Sequence, residues 1–187
     1  NTYHMGEHIC FRRNERLATV NPHWRGNPVV RGKFVNRQHR FHPGMGSVLK
    51  WRLSPNPQRK EKKSVKWSPK LNYLRSLDGV VGNSLIWLGH NSFFLQLGRK
   101  RIMFDPVFGD IPFVKRQSDF PANPDIFTDI DYLLISHDHF DHLDKQSVAR
   151  LVKNNPGMKL FCGLGTGELI KGWFPEFEVT EAGWYQQ

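Results

Sequence analysis

From residue 84 onward the chain gathers its apolar residues into short, regularly interrupted runs. SLIWLG (84–89), SFFLQL (92–97) and RIMFD (101–105) have the length and texture of strands, and Gly98-Arg99 predicts the hairpin turn between the second and third. YLLIS (132–136) is a continuous apolar run that predicts a buried strand. A helix is expected over 144–154, with Asp144 as its N-cap and Val148, Leu151 and Val152 on one face. MKLFC (158–162) predicts another strand, and Thr166 is expected to cap a helix running to Trp173, with Leu169, Ile170 and Trp173 as its apolar face. FEVTEA (177–182) closes the series as a last strand. Strands alternating with helices after residue 130 predict a layered α/β sheet.

The first 80 residues read differently. NPHWRGNPVVRGKFVN (21–36) and WRLSPNPQRK (51–60) are broken by Gly and Pro, which predicts an irregular arm over 1–80 ahead of a folded body over 81–187. Trp24, Phe34, Trp51 and Trp67 are candidates for pinning that arm onto the body. Charge divides the same way: the chain of 187 residues carries +10 overall, and its basic residues crowd into the arm. A basic arm suits phosphate-bearing partners, an anionic phospholipid or membrane surface among them. A solvated extension kept soluble by its charge is the other reading. QRKEKKSVK (58–66) lacks aromatic interleaving, so no specific nucleic-acid partner is expected. No apolar run of about 18 residues exists, so no membrane span is expected. Cys10 and Cys162 are too few for a disulfide framework. The chain starts at Asn1, which suggests a removed leader or a start inside a longer product.

The chemistry concentrates in HDHFDH (137–142), directly after the run 132–136 and before the expected helix. His137 and His139 alternate on a tight loop and can hold one divalent ion, while Asp141 and His142 can hold a second. Imidazole nitrogen and carboxylate oxygen are both good zinc ligands, and paired metals serve hydrolysis. A histidine-rich surface loop without metal is the plainer reading, but five His and Asp in six residues between two regular elements are hard to explain that way. Asp138 falls at a position the motif leaves free, and it is expected to face solvent or bond within the loop.

HxHxDH after an apolar strand resembles the metallo-β-lactamase superfamily. IWLGHNSFFLQL (86–97), MFDPVFGD (103–110), LISHDHFDHLDKQSV (134–148) and, in the arm, GKFVN (32–36) are similar to segments of one branch. That branch contains the N-acylphosphatidylethanolamine-hydrolysing phospholipase D and bacterial relatives. The resemblance implies an αββα sandwich, of which this chain carries mainly the N-terminal half. It implies a phosphodiesterase of N-acylated phospholipids using two zinc ions per complete site, with manganese or iron as alternatives. His137 and His139 would bind the first ion, Asp141 and His142 the second, the latter two being the expected catalytic pair. Asp105 would support the histidine loop through a hydrogen bond, the alternative being a plain turn former before Pro106. His90 would orient a ligand or meet substrate, the alternative being a hairpin histidine with no such duty.

The pattern is also incomplete. The family supplies a further histidine for the first metal, a bridging aspartate and a final histidine, yet no histidine follows His142 and Asp144 is the only later aspartate. Half a sandwich would leave one sheet face uncovered. The expectation is a shortened chain, one part of a longer product, or a homo-oligomer. A lactonase, another phosphoesterase of this fold, and a catalytically incomplete fragment or interaction module all remain open.

Overall fold

The computed structural model describes residues 8–36, 44–66, 69–111, 116 and 118–187. Trp67, one of the expected pinning aromatics, lies outside them. The chain divides into two compact units, one of residues 1–11 and 27–70, the other of residues 12–26 and 71–187.

The first unit holds regular structure where Gly and Pro predict an irregular arm. β1 (Ile9–Arg12), β2 (Asn27–Val30) and β3 (Lys33–Phe34) form a three-stranded sheet in that order. Val30 pairs with Lys33 across a two-residue turn of Arg31 and Gly32, both at positive φ (50° and 76°). That is the backbone combination tight hairpins require, and glycine adopts it freely. Two helices follow, α1 (Met45–Leu53) and α2 (Arg59–Ser64), and neither buries a residue. Trp51, expected to pin the arm, is 78% exposed instead. Phe34 is 42% exposed.

The second unit is built on a six-stranded sheet, β4 (Ser84–Gly89), β5 (Ser92–Leu97), β6 (Lys100–Phe104), β7 (Tyr132–Ile135), β8 (Lys159–Gly163) and β9 (Val179–Ala182), ordered β4-β5-β6-β7-β8-β9. The first three strands are antiparallel hairpins, and β6 to β9 run parallel. α3 (Lys145–Asn154) crosses from β7 to β8, and α4 (Thr166–Trp173) from β8 to β9. β6 ends one residue short of the expected 105, because Asp105 turns to φ 41° before Pro106.

Side-chain register explains the core. Phe94, Met103, Leu133 and Leu160 follow one another across the ladder on one face, where Val148, Leu151 and Ile170 from the two helices cover them. All seven are at most 1% exposed. The opposite face carries a second apolar row, Trp87, Phe93, Phe104, Leu134 and Phe161, paired in that order. Its edge is open, with Trp87 55% and Leu85 65% exposed.

The helix starts have different causes. Asp144 caps α3 as expected, its Oδ2 accepting from the Ser147 backbone N–H at 2.9 Å. α4 is not capped by Thr166: Gly165 stands at the N-cap in the left-handed region (φ 91°), and Thr166 is buried. Glu181 of β9 does the capping from outside the helix, its Oε1 accepting from the N–H groups of Gly165 and Gly167, both at 2.7 Å. A carboxylate there also meets the positive end of the helix dipole. Gly167 is required for this approach, since a Cβ would lie 2.7 Å from the Glu181 side chain. The apolar face of α4 rotates accordingly, burying Ile170 and leaving the expected Leu169 43% exposed.

Asn155, buried at the end of α3, accepts from Ile130 N and donates to the carbonyls of Phe127 and Leu151. It fixes the loop that leads into β7. In the same unit, Asn14 and Gln186 exchange hydrogen bonds, and Trp24 packs edge-on to Tyr185 at 5.9 Å.

Cys162 sits in this core, and burial, followed by the nearby Glu181, pushes its thiol up to about 12. Cys10 is exposed. A thiol reagent at neutral pH is therefore expected to modify one cysteine rapidly and the second only after denaturation. Two rapidly reacting thiols in the native protein would contradict this core.

Candidate functional site

The parallel strands deliver the loop 136–143 to the carboxyl edge of the sheet, the edge at which open α/β sheets place ligands. β7 ends at Ile135 and α3 begins at Lys145, so the loop is held at both ends. It folds back on itself, with His142 N and Leu143 N both donating to the His139 carbonyl. Leu143 is buried beneath it, whereas Asp138 and Phe140 face solvent.

Asp105 organises this loop from the end of β6. It is 7% exposed, and its carboxylate accepts three hydrogen bonds. Ser136 N reaches Oδ1 at 2.7 Å, Ser136 Oγ reaches Oδ2 at 2.6 Å, and His142 Nδ1 reaches Oδ2 at 2.8 Å. The left-handed backbone at Asp105 is what aims the carboxylate along the sheet edge. Two serines brace it: Ser92 Oγ donates to the Asp105 carbonyl and accepts from Val107 N, and Ser147 Oγ accepts from Phe108 N.

These contacts fix tautomers. A carboxylate can only accept, so His142 carries its proton on Nδ1. The Ser136 hydroxyl spends its proton on Asp105 and therefore accepts from His137 Nδ1 at 2.9 Å. Both rings are thereby left with their lone pairs on Nε2, the arrangement a supporting carboxylate gives to metal-binding imidazoles. The rings are close, His137 lying 4.6 Å from His139 and 3.9 Å from His142 between centroids. Burial, then the neighbouring His142 and His139, hold the His137 pKa below the ordinary imidazole range, so it is neutral at pH 7.

The β4–β5 hairpin meets the loop from the other side. Its two-residue turn, His90-Asn91, follows Gly89 at φ 93° and places His90 at φ 50°, with the Trp87 indole donating to the His90 carbonyl at 2.9 Å. A non-glycine residue held there stores strain, and such strain collects at functional sites. His90 Nε2 lies 3.1 Å from Asp141 Oδ2. That contact holds the Asp141 carboxyl below the usual carboxylate range. Asn91 Nδ2 donates to His142 Nε2 at 2.9 Å.

Every residue singled out from the sequence thus falls in one place: His137, His139, Asp141 and His142 on the loop, Asp105 and His90 against it. Sequence reasoning missed Ser136, Asn91 and Ser92. Each stands within a quoted motif, but a hydroxyl or amide beside a histidine has no spacing rule to mark it.

The donor types suit a borderline divalent ion, but the arrangement does not complete a site for one. Among the described residues no three His, Cys, Asp or Glu side chains form a group that could hold a metal. The loop offers two donors to each expected ion, and zinc sites use at least three protein ligands.

The α/β sheet thus carries the HxHxDH loop at the carboxyl edge of its parallel strands. Residues 100–186 match the model of the beta-lactamase superfamily domain. It is 33% identical over 108 residues to N-acyl-phosphatidylethanolamine-hydrolyzing phospholipase D 1 of Caenorhabditis elegans, covering 52% of this chain and 30% of that protein. A UPF0173 metal-dependent hydrolase of Saccharolobus solfataricus is 35% identical over 78 residues, 42% of this chain and 31% of its own. The chain therefore spans about a third of the length of these curated relatives. Among solved structures, the diiron β-hydroxylase CmlA of Streptomyces venezuelae overlays 72% of this chain and 25% of its own at a TM-score of 0.40 and 22% identity, a likeness too slight to argue from.

Asp105→Asn keeps the shape but halves the accepting capacity of the buried carboxylate. It is expected to cost about 2 kcal/mol in thermal or denaturant unfolding. In long-range ¹⁵N–¹H spectra it should also release His142 from the Nδ1–H form. An unchanged His142 tautomer would show that Asp105 does not set it.

Proposed function

We propose that this chain contributes the histidine–aspartate loop of a metal-dependent hydrolase centre of the beta-lactamase superfamily, with phosphodiesters of N-acylated phospholipids as the substrate class. The observation that carries this reading is the Asp105–Ser136–His137–His142 network, which engages the Nδ1 atoms of two neighbouring imidazoles and so turns their Nε2 edges away from Asp105 and Ser136. A loop with no duty toward a ligand gains nothing from fixing two tautomers at once. His137, His139, Asp141 and His142 are the proposed metal donors, with Asp141 and His142 as the catalytic pair, zinc the first choice of ion, and manganese or iron the alternatives. Asp105 and His90 orient them. Because four donors fall short of two complete sites, the reading requires further ligands from other polypeptide, in the same product or in a second copy. The lipid substrate class rests on the similarity to the Caenorhabditis elegans phospholipase over 52% of this chain. Lactones and other phosphoesters fit the same loop chemistry.

A second reading is favoured by the donor shortfall itself: these 187 residues alone are catalytically silent and bind metal weakly through a partial set. Zinc uptake measured by elemental mass spectrometry is expected to fall in both His137→Ala and Asp141→Ala relative to the unmodified chain. Equal loading in all three would remove the loop as the site. Zinc-dependent turnover of bis(p-nitrophenyl) phosphate by the 187-residue chain would sink the silent reading, and turnover only on adding the missing donors would support both parts of the proposal.

A further inference from the structure

We infer that Asn91 is a latch on His142: its side-chain amide holds the nitrogen through which His142 would grip an ion, and the ion binds there only as Asn91 lets go. This deepens the metal-centre reading proposed above and rests on it.

Both ring nitrogens of His142 are engaged. Nδ1 donates to Asp105 Oδ2 at 2.8 Å, so the lone pair of the ring lies on Nε2. Asn91 Nδ2 stands 2.9 Å from that atom and donates to it. An imidazole nitrogen has one lone pair in the ring plane, and it serves either an N–H or a metal ion. The hydrogen bond and a coordinate bond are therefore alternatives.

The preceding residue makes a contact that looks alike but differs in kind. His90 Nε2 lies 3.1 Å from Asp141 Oδ2. A carboxylate has two oxygens and about four lone-pair sites, so Asp141 can keep His90 and still accept an ion. Only at His142 does the β4–β5 turn exclude the ion. Asn91 competes for its partner, whereas His90 orients its own.

The fold confines the opening of this latch to one side chain. On one side of Asn91, the Trp87 indole donates to the His90 carbonyl at 2.9 Å. On the other, the buried Ser92 donates to the Asp105 carbonyl at 2.8 Å. The turn cannot shift without breaking these contacts. Among the described residues the Asn91 amide makes one hydrogen bond, the one to His142. Rotation about its own side-chain bonds releases it, while Asp105 keeps the imidazole in place through Nδ1. Nε2 is thus aimed in a fixed direction and covered by the group best able to leave.

The test is a zinc titration of the whole ¹⁵N-labelled chain, followed by NMR at His142 Nε2 and at the Asn91 side-chain amide. Both signals are expected to move together as zinc binds. Asn91→Ala should bind zinc roughly threefold to tenfold more tightly, since one neutral hydrogen bond no longer has to break. Its His142 Nε2 signal should also be displaced before any zinc is added, which a residue that only supported the turn would not cause. Unchanged or weaker zinc binding by Asn91→Ala would overturn the latch and leave the loop as a metal site, as would zinc at His142 with the Asn91 amide unmoved. No zinc at His142 in either chain would overturn the latch and the metal-centre reading together.

Discussion

One carboxylate holds the centre together. Asp105 stands where β6 ends and reaches across to where β7 ends, so two neighbouring parallel strands are joined at their carboxyl edge by a charge-assisted contact. Remove that acceptor and the Ser136 hydroxyl loses its partner, His137 loses its reason to be protonated on Nδ1, and His142 loses the constraint on its ring. The burial of Asp105 is tolerable only because three donors converge on it, since an unpaired carboxylate in that setting would be costly. The backbone supports the same end: a left-handed turn before a proline aims the group, and Ser92 and Ser147 hold the turn. Structure and site chemistry here share the same few hydrogen bonds.

How much of this was legible in the chain can be told element by element. The strands and helices after residue 84 were readable because they bury side chains, and burial imposes period. Asp144 was readable because capping is local. The start of α4 was not, because its cap is Glu181, fourteen residues beyond Gly167 and on another strand. The small sheet and two helices of the first unit escaped for the opposite reason. Their strands are two to four residues long, and α2 is a run of charged residues with no apolar face, so no periodicity marked them. At the site, the coordinating residue types announced themselves, while Ser136 and Asn91 look ordinary until the fold sets them against histidine rings.

The two units also divide the physical roles. The sheet unit builds a geometrically exacting centre from buried polar contacts, and the first unit presents an exposed basic and apolar segment that needs no such precision. A site that depends on tautomers requires a rigid base.

The order of strands has a consequence for how the centre comes into being. β4, β5 and β6 pair through short hairpins and can close early, at small entropic cost. The hydrogen bonds of the histidine loop span far longer stretches of chain: His90 to Asp141 and Asn91 to His142 are each fifty-one residues apart, and Asp105 to Ser136 is thirty-one. They cannot form until the parallel pairing of β6 with β7 is in place. A folding chain would thus own its hairpins well before it owned its histidine centre, and the centre's formation would mark the end of assembly.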